Sequence, residues 1–146
     1  MAYFTFMGQE FKSLFEFKNG DAQKIINKYE ILFCQKYGSI NNSHHYFWVK
    51  QSHIIEMIVL QKDIESLKII LSNGYDEHIN DVAGAGFTLL HTASINGYND
   101  IVKLLLTYKK ININKLTNDG YTSLSLAIRH NHDDVVQTLK LNNKIV

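Results

Sequence analysis

The feature that most constrains this chain is an internal repeat. The stretch Gly86 to Leu106, GFTLLHTASINGYNDIVKLLL, returns 34 residues later as GYTSLSLAIRHNHDDVVQTLK, Gly120 to Lys140. Gly86 maps onto Gly120, Thr88 onto Thr122, Leu90 onto Leu124, Ala93 onto Ala127, Asp100 onto Asp134, Val102 onto Val136 and Leu105 onto Leu139. Matches at one fixed offset require one supersecondary unit used more than once, with its apolar face buried against its neighbours. Each unit has a helix-opening Thr, a first apolar run closing on Ala, a break, and a second apolar run. This pattern predicts a pair of helices.

Earlier parts of the chain carry weaker copies. Lys62 to Gly74, KDIESLKIILSNG, reads as a second helix closed by a glycine able to adopt the left-handed conformation. Upstream of it, Ile55, Ile58 and Val59 fall in the slots of Leu90, Ala93 and Ser94, with His53 and Glu56 in the slots of Thr88 and His91. Ile25, Ile26, Tyr29, Leu32 and Phe33 give a broad apolar helical face after Asn19-Gly20-Asp21, where Asp21 suits an N-cap. Before that, Phe11, Leu14, Phe15 and Lys18 recur at helical spacing, so residues 1–34 are expected to form a helical pair. The segment 35–47, QKYGSINNSHHYF, is polar and turn-rich and is expected to be a connection.

The run Thr88-Leu89-Leu90-His91-Thr92-Ala93, followed by Gly97-Tyr98 and by Ile101-Val102-Lys103-Leu104-Leu105, resembles the ankyrin repeat. Leu89 stands where that signature has Pro, and the later copy, Thr122-Ser123-Leu124-Ser125, lacks both Pro and His. The resemblance implies an all-α, ankyrin-repeat-like solenoid of stacked helix pairs with hairpin-like loops. It covers residues 1–146 as one domain, with a degenerate capping repeat and loop at 1–47, repeats at 48–80, 81–114 and 115–141, and a tail at 142–146. It also implies that His91 is structural and hydrogen-bonds between neighbouring repeats.

Composition narrows the function. A net charge of +1 argues against nucleic acid or an acidic membrane surface as partner. No apolar run approaches the about 18 residues of a membrane helix, and the N-terminus lacks the features of a secretion signal, so a cytoplasmic location is expected. A single cysteine, Cys34, makes no internal disulfide and, at the end of an apolar stripe, is expected to be buried. Gly84-Ala85-Gly86 lacks the third glycine of a phosphate loop and reads as a tight hairpin turn. His44-His45 and His130-Asn131-His132 have no cysteine pair or helical second histidine to complete a metal site. Asp133-Asp134 at a helix start complements the helix dipole.

What the resemblance implies is a non-catalytic protein–protein interaction module with no cofactor. Its partner would be another protein, gripped by loop tips and groove, and the chain itself would be a monomer. The site slots are Ala85, Phe87, Ile95 and Asn96 in the third unit and Asp119, Tyr121, Arg129 and His130 in the fourth. Phe87 and Tyr121 share one slot and are either packed on a neighbouring repeat or displayed to a partner. The small format fits a microbial effector, an inhibitor or an immunity-type protein. Two other classes remain open: a small metal-dependent enzyme using the histidine-rich segment 44–53, and a self-associating structural repeat.

Overall fold

The structure is a computed structural model and describes residues 20–37 and 51–142, apart from the side chains of Cys34, Tyr37 and Gln51. Expectations for the helix carrying Phe11 to Lys18, for His44, His45 and Tyr46, for the burial of Cys34 and for residues 143–146 lie outside the described residues.

The described residues form seven α-helices and two short 3-10 turns, with no strand among them. The helices are α1 (Gly20–Tyr37), α2 (Gln51–Leu60), α3 (Ile64–Ser72), α4 (Leu89–Ile95), α5 (Asn99–Leu106), α6 (Ser123–Arg129) and α7 (Asp133–Lys140). Helices α2, α4 and α6 pack side by side as one layer, and α3, α5 and α7 form the second. Within each pair the two helices pack on each other, and α1 lies against both α2 and α3. This is the expected all-α solenoid of stacked helix pairs, with α1 packed against the first pair described.

Two sequence expectations need correction. Helix α1 runs through Gln35, Lys36 and Tyr37 instead of ending at residue 34. A helix end with one solvated face tolerates polar residues, and Gln35 and Lys36 are exposed. Asp21 lies in the first turn of α1 and does not cap it; its charge still favours the helix N-terminus, and Lys24 approaches it at 3.5 Å.

Local chemistry explains where the short helices start. Thr88 and Thr122 are extended and cap α4 and α6, accepting from the backbone N–H groups of His91 and Ser125. The side chains of His91 and Ser125 accept in return from the cap N–H groups, closing a capping box in each repeat. Asp63 caps α3 through Ser66 and also accepts a 2.7 Å hydrogen bond from the Tyr29 hydroxyl, tying the cap helix to the first pair. Gly74 closes α3 at φ 110°.

The core runs continuously between layers. Ile26, Ile55, Ile58, Leu67, Ile70, Leu71, Leu90, Ala93, Ile101, Val102, Leu105, Val135 and Leu139 are all completely buried. Leu105 belongs to this row, and its counterpart Leu139 is equally buried one repeat later. Leu105→Ala therefore removes packing that the stack cannot readily close over, and should cost about 2–5 kcal/mol. Urea unfolding followed by circular dichroism checks this; an unchanged midpoint would place Leu105 outside the core.

Candidate functional site

The site slots lie on two hairpins and at the C-terminal ends of the first helices. Ala83 N–H donates to Phe87 C=O at 2.8 Å, and 34 residues later Thr117 N–H donates to Tyr121 C=O at 2.9 Å. The two hairpins therefore close in the same way. They are also joined, because Asn118 N–H donates to Ala85 C=O at 3.0 Å. Ala85 accepts φ 58° at the tip of the first turn, and Gly86 follows at φ 76°. A Cβ on Gly86 would stand 2.4 Å from Asn118 Oδ1, so only glycine lets the next hairpin come this close. Ala85 and Asp119 are exposed at the tips.

Phe87 and Tyr121 are both half-buried. The Phe87 ring meets His91 edge-on, with centroids 5.8 Å apart. Tyr121 instead accepts a 2.6 Å hydrogen bond from Arg129, whose guanidinium carbon lies 5.2 Å from the tyrosine ring centroid. One turn of hairpin and one helix end are thereby linked across eight residues of sequence. No ring contact joins Phe87 to Tyr121, so the two aromatics sit in register without stacking.

The helix-end slots are built on backbone bonds. Asn96 ends α4 and donates from Nδ2 to Thr92 C=O at 2.8 Å. The half-buried Ile95 accepts at its carbonyl from His132 Nε2 at 3.0 Å. His130 is exposed and stacks on His132 with centroids 6.4 Å apart and planes 11° apart. The structure thus groups Tyr121 with Arg129, Ile95 with the His130–His132 pair, and Ala85 with the hairpin of Asp119. Among the described residues no cluster of three His, Cys, Asp or Glu side chains is placed to hold a metal. None of the described helices is long and apolar enough to cross a membrane.

His91 sits behind these slots and is almost fully buried. Its Nδ1 accepts from Thr88 N–H at 3.1 Å, so the ring proton of the neutral form is on Nε2, which donates to Lys115 C=O at 2.9 Å. Burial pushes the His91 pKa below its ordinary value, and the nearby Lys115 charge acts in the same direction.

Sequence reasoning missed three residues that hold these surfaces in place. Asn80 donates to Lys110 C=O at 2.7 Å and accepts from Asn112 N–H at 2.7 Å, bracketing the next loop. Its recurrence as Asn114 was a usable signal. Asn118 carries no such signal, since Gly84 holds its slot in the preceding unit. Glu56, in the slot of His91, replaces that histidine's bond to the next repeat by accepting from the Thr92 hydroxyl at 2.9 Å.

A family model described as ankyrin repeats, in three copies, matches residues 55–145. An ANK repeat-containing protein of Caenorhabditis elegans, nipk-1, is similar to this chain, with 33% identity over 89 residues. The match covers 60% of this chain and spans 15% of that relative's length.

The His91 geometry carries a pH prediction. Its folded pKa lies below the unfolded value of about 6.5. Above that pH the ring is neutral in both states and its contribution is complete. As pH falls from about 6.5 toward the folded pKa, only the unfolded chain takes up the proton, and this contribution is lost. His91→Gln should therefore destabilise most near neutral pH, with the gap to wild type narrowing at pH 5. Denaturation at the two pH values checks it; a gap that widens on acidification contradicts the assigned tautomer.

Proposed function

The chain belongs to the ankyrin repeat family, and on that premise we propose that it binds another protein, without catalysis, through its hairpins and first-helix ends. Ankyrin repeats generally serve as protein–protein interaction modules, and the family is typically non-catalytic. The binding surface in this reading is a stripe of Phe87, Ile95 and Asn96 from one repeat and Tyr121, Arg129 and His130 from the next, with Ala85 and Asp119 at the tips.

The observation that carries this reading is the Tyr121–Arg129 pair. An exposed guanidinium is held over a half-buried ring and hydrogen-bonded to its hydroxyl. Tyrosine and arginine are among the residue types most enriched where binding energy concentrates. Holding both side chains in place before contact lowers the entropy cost of ordering them in a complex. Phe87 supplies the apolar neighbour in the equivalent slot. The partner in this reading meets a mixed surface, aromatic at the hairpins and cationic at the end of α6.

Capture of a partner by the immobilised wild-type chain, followed by titration of that partner against single variants, tests the reading. Tyr121→Ala and Phe87→Ala should each weaken binding about thirtyfold, the equivalent of about 2 kcal/mol, and Arg129→Ala should act in the same direction. Melting temperatures should stay close to wild type for Tyr121→Ala and Arg129→Ala. Normal binding by all three variants would move the site elsewhere, with the segment 35–47 the next place to test. Unfolding of both aromatic variants would assign the rings to packing.

A further inference from the structure

Every repeat in a stack shows one face to the repeat before it and one to the repeat after it. In the third unit the forward-facing slots are Leu90, Ser94, Asn99, Val102 and Leu106. Leu90, Ser94 and Val102 are completely buried, and Asn99 and Leu106 are half-buried. In the fourth unit the same slots hold Leu124, Ile128, Asp133, Val136 and Lys140. Here Leu124 and Val136 are half-buried, Asp133 and Lys140 are exposed, and Ile128 is 53% exposed. Gly120, at φ 81°, has nothing within 4 Å of a notional Cβ, whereas Asn118 closes on Gly86.

This face, which the described residues leave uncovered, has the apolar centre of an inter-repeat surface. Ile128 stands on it where the third unit has the fully buried Ser94. At the other end of the stack α1 already lies across α2 and α3.

The charges on this face say what fits it. Asp133, Val136 and Lys140 fall at i, i+3 and i+7 and share one side of α7. They form an acid–apolar–base stripe about 10 Å long. Neither charge makes an ion pair with another described residue. Reversing the stripe exchanges its acid and its base, so it complements a copy of itself run antiparallel. On α6, Leu124 and Ile128 fall at i and i+4, and the same reversal sets each against the other.

We propose that this face pairs with the same face of a second copy of the chain, giving a tail-to-tail dimer. Helices α6 and α7 of one copy lie antiparallel on α6 and α7 of the other, with Asp133 of each copy meeting Lys140 of the other. Because the same patch is used on both copies, the assembly closes at two and does not extend into a filament. The proposal departs from the expectation of a monomer. It does not rest on Tyr121, whose slot is half-buried in both repeats and so is not what a following layer covers.

Sedimentation velocity on the full chain over a concentration series tests it. The expected result is a species of twice the 16.8 kDa chain mass that gives way to monomer on dilution. Ile128→Glu should raise the dissociation constant at least about tenfold, because it sets a charge in the apolar centre. Asp133→Lys and Lys140→Asp should each weaken the dimer, and the double variant should restore it. That recovery is one that damage to the fold would not produce. Tyr121→Ala should dimerise like wild type, which separates this proposal from the partner-binding reading. A monomer at every concentration overturns the proposal and leaves the face to a different protein. A dimer indifferent to Ile128→Glu, or a double variant no tighter than the single ones, overturns it equally.

Discussion

Helices of seven to ten residues do not hold their shape alone in water, and every helix after α1 falls in that range. Burial between neighbouring pairs must supply what hydrogen bonding within each helix lacks. Leu90, Ala93, Val102 and Leu105 in the third unit are completely buried because helices of other pairs lie against theirs. The same dependence explains why the apolar pattern recurs at a fixed offset. Each unit must present matching faces in two directions, so a change in one slot is felt by the neighbour.

Apolar burial alone would let the pairs slide, and a set of polar bonds fixes their register. His91 reaches Lys115 C=O, His132 reaches Ile95 C=O, and Tyr98 reaches Leu60 C=O at 3.4 Å. Tyr98 and His132 occupy the same repeat slot and perform the same task with different chemistry. Asn80, Thr92 with Glu56, and the Asn118–Ala85 backbone bond add further ties. Several of these bonds satisfy backbone groups at helix ends and loops, which are costly to bury unpaired. Gly97 belongs to the same system: a Cβ there would stand 2.5 Å from His132 Nδ1, so the histidine and the glycine require each other.

Much of this was legible in the sequence because the apolar slots, the capping threonines and the left-handed glycines are set by local and nearest-neighbour physics. Thr88 and Thr122 cap their helices, and Gly84-Ala85-Gly86 forms a hairpin turn, as their residue types require. The end of α1 was not legible, since Gln35 and Lys36 are polar whether they continue a solvated helix or begin a loop. The roles of Asn118 and Glu56 were not legible either. An amide or carboxylate says nothing by itself about which carbonyl or hydroxyl the next layer will bring to it. For the candidate site, the sequence identified the slot shared by Phe87 and Tyr121. It did not show that one ring would engage a buried histidine and the other a helix-end arginine.

Comparing the repeats with each other separates two kinds of position. Three slots at the centre of the apolar core keep their chemistry from the third unit to the fourth: Ala93 and Ala127, Ile101 and Val135, Leu105 and Leu139. Slots at the hairpin tips and first-helix ends change it: Ala85 becomes Asp119, Ile95 becomes Arg129, and Asn96 becomes His130. Packing explains the first group, because volume and polarity at a buried position are dictated by the neighbour. It places no such demand on the second group, most of which is exposed. What the second group has in common is an ordered backbone beneath it, fixed by the hairpin bonds and by the bond from His132 to Ile95. A surface whose side chains vary while its scaffold repeats can take on a particular partner without disturbing the stack that holds it.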